Sequence, residues 1–188
     1  MLAALVLSLL HQAPLVTELK CAGFSVITTS PSGDPLNDDE RVELSVEGAR
    51  FPVPFKPTMF TGAGARGTAS QLKCSEHLLA WEVRPGVLVL VVSRSGRPQL
   101  DLVSLALVDL AKKKTLQVID TPYELSSGRA QTKQGVTFSF VTRAAPGGFD
   151  LRVVREWLPD DDSPSGALED WLAVRAVKEK LTAGWLRP

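Results

Sequence analysis

The 188-residue chain carries 21 Lys and Arg against 21 Asp and Glu, and 44% of its residues are hydrophobic. Zero net charge argues against a nucleic-acid binder driven by electrostatics, and against a polybasic membrane-surface protein, since both need a basic face. The apolar content excludes a disordered chain, and two cysteines with two histidines leave almost nothing for a zinc cluster.

Residues Leu2 to Leu10 read LAALVLSLL, nine residues with Ser8 the only polar one. That is about half a membrane span and suits the apolar region of a secretory signal peptide. We therefore expect a signal peptide over residues 1–13, an exported chain (periplasm, outer envelope or extracellular), and no transmembrane span in the mature protein. A buried N-terminal helix or strand and a membrane-anchoring segment are the competing readings. Once residues 1–13 are removed, Cys21 and Cys74 remain as an even pair with no spare. In an oxidising compartment such a pair is expected to form a disulfide, with two free buried cysteines in a cytosolic protein as the alternative. Closing a loop of about 54 residues would stabilise the fold by roughly 4 kcal/mol on the loop-entropy model and pin an N-terminus that otherwise frays.

The body reads as strands. Val42, Leu44 and Val46 alternate with Arg41, Glu43, Ser45 and Glu47, as in a half-buried strand. Phe51, Val53 and Phe55 alternate with Pro52 and Pro54, so this piece belongs on a sheet edge or outside it. Gly62 to Gly67 (GAGARG) matches the dinucleotide glycine pattern as a string, but no helix pattern follows; we expect a flexible surface loop, with Arg66 its one ligand-type side chain. His77 is the only histidine outside the expected signal peptide. With no G-x-S-x-G elbow to serve it, it reads as a surface histidine near Cys74 rather than a catalytic one.

Leu79, Trp81 and Val83 keep a period of two, and Gly86 to Ser93 (GVLVLVVS) is a continuous apolar run that predicts a central strand covered on both faces. Leu105 to Asp120 predicts a hairpin around a solvated Lys112-Lys113-Lys114 tip, with a helix over Leu100 to Lys112 as the competitor. Val136 to Thr142 alternates, and Pro146-Gly147-Gly148 turns the chain into Phe149, Leu151 and Val153. In that strand Arg155 shares the parity of the apolar residues, while Asp150, Arg152 and Glu156 hold the wet face. A bulge near Val154 could reset the phase, Arg155 could snorkel along Trp157, or it could pair with an inward carboxylate such as Asp109 and hold an anionic ligand.

Asp160 to Ser163 followed by Pro164 has the composition of a helix start. Ala167, Trp171, Val174, Val177, Leu181 and Trp185 fall within about 120° of arc at helical spacing, which predicts a helix at about 165–183 packed on the sheet. The acidic runs Asp38 to Glu40 and Asp160 to Asp162 lack the order of a calcium loop and read as loop solvation and capping. No internal repeat is visible in the residues.

The expected fold is mainly β: an antiparallel β-sandwich or curled sheet of about 7–8 strands with one C-terminal amphipathic α-helix packed on it. Residues 14–188 form a single β-rich domain. Neither a cofactor nor a metal is expected. The functional expectation is a non-catalytic exported binding or scaffold domain whose partner is another protein or an envelope component. Candidate binding residues are Arg66, His77 and Arg155. The alternative is an inhibitor or immunity-type protein acting on an enzyme of the same compartment, through a loop such as Thr61 to Ser70 or an edge strand. A hydrolase using carboxylates such as Glu82, Asp101, Asp109 and Asp120 ranks third.

Overall fold

The computed structural model describes residues 13–32, 41–55, 59–60, 64–66, 79–96, 100–122, 137–157 and 166–186. Among these there are strands and turns and no helix. The first sheet is formed by β1 (Leu15–Cys21), β2 (Phe24–Ser30), β3 (Arg41–Val46) and β4 (Ala49–Val53), in that order and antiparallel throughout. The middle sheet holds β7 (Leu79–Arg84), β8 (Val87–Gly96), β9 (Leu100–Asp109) and β10 (Lys114–Pro122). The short β5 (Met59–Phe60) pairs further along β8. The last sheet runs β11 (Thr137–Ala145), β12 (Gly148–Trp157), β13 (Gly166–Val177) and β14 (Lys180–Leu186), with β6 (Gly64–Arg66) added parallel to β11.

These sheets stack in chain order, and the alternation within β8 shows how. Val87, Val89 and Val91 join Leu79, Trp81, Leu105 and Leu107 against Phe149, Leu151, Leu172, Val174 and Leu181 of the last sheet. Leu88, Leu90 and Val92 point the other way, joining Ala80, Ala106 and Val108 against Phe24, Val26, Leu44, Phe51 and Val53 of the first sheet. A strand buried on both faces has no place for a solvated residue, which is why β8 reads as an unbroken apolar run. Trp81 and Phe149 meet across the gap between the middle and last sheets with ring centroids 4.9 Å apart and planes tilted by 31°. The proline-interrupted β4 lies at the edge of its sheet, with Pro52 exposed between buried Phe51 and Val53.

Each sheet contains one four-strand meander, β1–β4, β7–β10 and β11–β14, so the fold carries a threefold structural repeat that the residues do not advertise. The trace lies in the turns. Gly23, Gly86 and Gly147, at φ of 86°, 72° and 73°, sit in the first hairpin turn of the three units. Glu47, Lys113 and Lys178, at φ of 51°, 50° and 58°, occupy the third. The third turns and fourth strands draw together. Lys113 pairs with Glu47 at 3.6 Å, and Lys112 with Glu179 at 2.6 Å. The Thr115 hydroxyl donates to the Pro52 carbonyl at 2.8 Å, and the Leu181 N–H to Gln117 Oε1 at 2.7 Å. The lysine tip is therefore more than a solvated hairpin end, because two of its lysines reach the neighbouring sheets.

Several expectations need correction. The helix at 165–183 is the β13–β14 hairpin, paired in unbroken register from Trp171↔Leu186 to Val177↔Lys180. Trp171 then faces outward, while Val174 and Leu181 are buried and Trp185 packs against the core. β13 has an unpaired edge of β12 to bond to, and sheet hydrogen bonds along its whole length outweigh a helix-type composition. In place of the two layers of a sandwich with about 7–8 strands, the described residues form fourteen strands in three sheets, several of them short. The expected loop around Arg66 contains β6, paired through Ser139↔Gly64, Phe140↔Ala65 and Val141↔Arg66.

Candidate functional site

The outer face of the last sheet holds the most organised polar cluster among the described residues. On β12, Phe149, Leu151 and Val153 turn inward, so Asp150, Arg152 and Val154 turn outward. Register places Arg143 of β11 opposite Asp150, and Ala173 of β13 on its other side. It places Trp171 opposite Arg152, with Leu186 of β14 next in the row. Ala173 leaves the Asp150 carboxylate open to the diagonal neighbour, Arg175.

Asp150 is only 6% exposed. It accepts one bond from Arg143 Nε to Oδ2 at 2.9 Å and one from Arg175 Nη2 to Oδ1 at 2.7 Å. Burial works to raise its pKa, but the hydrogen bonds from Arg175 and then Arg143 outweigh it and hold the carboxyl below its ordinary value. Arg175 is spent on structure, since its Nη1 also donates to the Phe149 and Val174 carbonyls at 2.7 and 2.9 Å. Arg143 is different. Its side chain is 61% exposed and its guanidinium lies 4.4 Å from the centre of the Trp171 ring. Glu169, two residues before Trp171 on the same strand face, takes a charge-assisted bond from Arg152, the main reason its pKa is lowered, and the neighbouring Trp171 indole adds a smaller lowering effect. The result is one connected network of three arginines, two carboxylates and an indole, with one net positive charge.

The sequence-flagged residues do not gather here. Cys21 ends β1, half-buried beside the first turn, while Cys74 and His77 lie outside the described residues. So do the acidic runs at 38–40 and 160–162. Arg66 contributes backbone to β6, and its side chain lies outside the description. Arg155 pairs with Phe138 and Leu168 in a register without a shift, so no bulge resets the phase near Val154. The carboxylate Asp109, weighed as its partner, is engaged by the Lys112 N–H at 3.0 Å and by Lys112 Nζ at 3.4 Å; these contacts lower its pKa, the backbone bond first. Glu82 accepts from the Gly86 N–H at 3.1 Å and Asp120 from the Ser104 hydroxyl at 2.7 Å. Among the described residues, no group of three or more His, Cys, Asp or Glu could hold a metal ion. No described helix is long and apolar enough to cross a membrane.

Residue reading placed Asp150 and Arg152 on the wet face of β12. It missed Arg143, Trp171 and Arg175, whose proximity depends on the register of β11 and β13. Compared with known proteins, the chain matches no family model, no curated protein and no solved structure.

Proposed function

We propose that the chain is a non-catalytic, exported binding or scaffold domain that meets its partner on the outer face of the last sheet. The observation that carries this reading is the Asp150–Arg143–Trp171–Glu169 network. Guanidinium and indole side chains held in fixed orientation on an exposed sheet face are the residue types that dominate protein interfaces. The apolar run LAALVLSLL and the cysteine parity support export. The proposed Cys21–Cys74 disulfide rests on the same parity.

A photo-crosslinking residue in place of Thr182, on this face, should capture a partner in the native envelope fraction. The same residue in place of Ser45, on the first sheet, should not. Equal capture from both positions, or none from Thr182, would overturn the assignment of the face. Alkylation of the unreduced exported protein should modify neither Cys21 nor Cys74; two modified thiols would remove the disulfide and weaken the case for export.

The inhibitor reading draws on a different observation. β1 is an edge strand with Leu15 44% and Val16 55% exposed, a pattern suited to strand addition. A crosslinker in place of Val16 that captures an enzyme, with Thr182 silent, would favour it.

A further inference from the structure

Within the network, Arg143 is the most exposed arginine and, among the described residues, the one whose terminal nitrogens are both unused. Asp150 takes its Nε–H, Trp171 supports its plane, and among the described residues neither of its Nη nitrogens has a partner. Those two nitrogens present parallel N–H groups to solvent in the spacing of a carboxylate's two oxygens. The cost of fixing a long side chain has already been met by the fold, so a ligand would find the fork preorganised. We propose that Arg143 is a carboxylate-reading residue and that the partner is a protein that presents an acidic side chain to it. This deepens the binding-domain reading and rests on it.

Two features select a carboxylate over a phosphate. The network has a net charge of one positive, which a monoanion neutralises, and Asp150 and Glu169 beside the fork disfavour a dianion. Leu186, 42% exposed and next in the row to Trp171, offers an apolar seat for the methylene stem of a glutamate. Arg152 is less suited to the role, because Glu169 already takes one of its two terminal nitrogens and its side chain is 37% exposed against 61% for Arg143.

The test uses the full chain titrated with a hexaglutamate peptide, with hexaglutamine and inorganic phosphate as comparison probes. Hexaglutamate should bind and hexaglutamine should not. Arg143→Gln should weaken binding about tenfold, the loss of one charge-assisted fork. Arg143→Lys keeps the charge and can keep the bond to Asp150 but loses the planar fork, so it should also weaken binding. Arg50→Gln, on the outer face of the first sheet, should stay within twofold of the parent. Melting curves of the two Arg143 variants check that each is folded. Undiminished binding by Arg143→Lys, tighter binding of phosphate than of hexaglutamate, or no hexaglutamate binding would overturn the proposal. If the Thr182 crosslink captures a partner that Arg143→Gln captures equally well, the carboxylate reading falls while the binding face stands. If Thr182 captures nothing, both fall.

Discussion

The middle and last sheets are built from the same four-strand meander and do opposite things with their side chains. In β8 and β9 both faces are buried, from Val87 to Val92 and from Val103 to Val108, so nearly every position is fixed by packing. In β12 and β13 one face is equally dry, with Phe149, Leu151, Val153, Leu172 and Val174 all at 0% exposure, and the other holds the arginine network. A layer enclosed by two others can supply only stability. A layer at the end of the stack has a spare face, and the most organised polar cluster among the described residues is found on one.

Core deletion should make the largest difference. Leu107→Ala, on the side of the middle sheet facing the last, should lower the unfolding free energy by about 4 kcal/mol in urea titration. Leu88→Ala faces the first sheet; if its cost is similar, the two cores are equal partners, and a much smaller cost would make the first sheet a loosely held layer. Next is Gly148→Ala. A Cβ at Gly148 would collide with the Val174 carbonyl oxygen and the Arg175 backbone, so the β12–β13 pairing must open locally, at about 3 kcal/mol.

Asp150→Asn removes a buried charge and should cost about 2 kcal/mol at neutral pH. Its acid behaviour sharpens the point. The Asp150 pKa is lowered in the fold, so its contribution is complete above the unfolded value of about 3.9 and drains away as pH falls through the lower folded value. The loss of stability between pH 4 and lower values, followed by melting, should be shallower in Asp150→Asn than in the parent. The smallest effect has the opposite sign. Thr142, on the inner face of the last sheet and 4% exposed, buries a hydroxyl that has no hydrogen-bond partner among the described residues. Thr142→Val should raise the melting midpoint, by about 1 kcal/mol of stability.

Much of this fold was legible where pattern and burial agree. The alternation of β3, the unbroken run of β8, the lysine-tipped β9–β10 turn and the Pro146-Gly147-Gly148 turn each report one local cause. The β13–β14 hairpin was not legible, for two physical reasons. Its inward residues, Leu172, Val174 and Ala176 and then Leu181, Ala183 and Trp185, are interleaved with outward Trp171, Ala173 and Val177, so a helical spacing fits as well as an alternation. Its turn places Lys178 at φ 58° with no glycine or asparagine to announce it. Losing that hairpin lost the site, because Trp171 and Arg175 meet Arg143 and Asp150 only through the cross-strand register.

Enclosure of the middle sheet also sets a hazard in handling the chain before it folds. Val87 to Val92 is six residues of high β-propensity with no charge, the composition of a segment that stacks on copies of itself. While either flanking sheet is missing, one side of that segment is a sticky surface. Arg84 and Pro85 before the segment and Arg94 after it stand where gatekeepers against self-association belong. Solubility of this protein therefore depends on the outer layers closing over β8 faster than one β8 finds another.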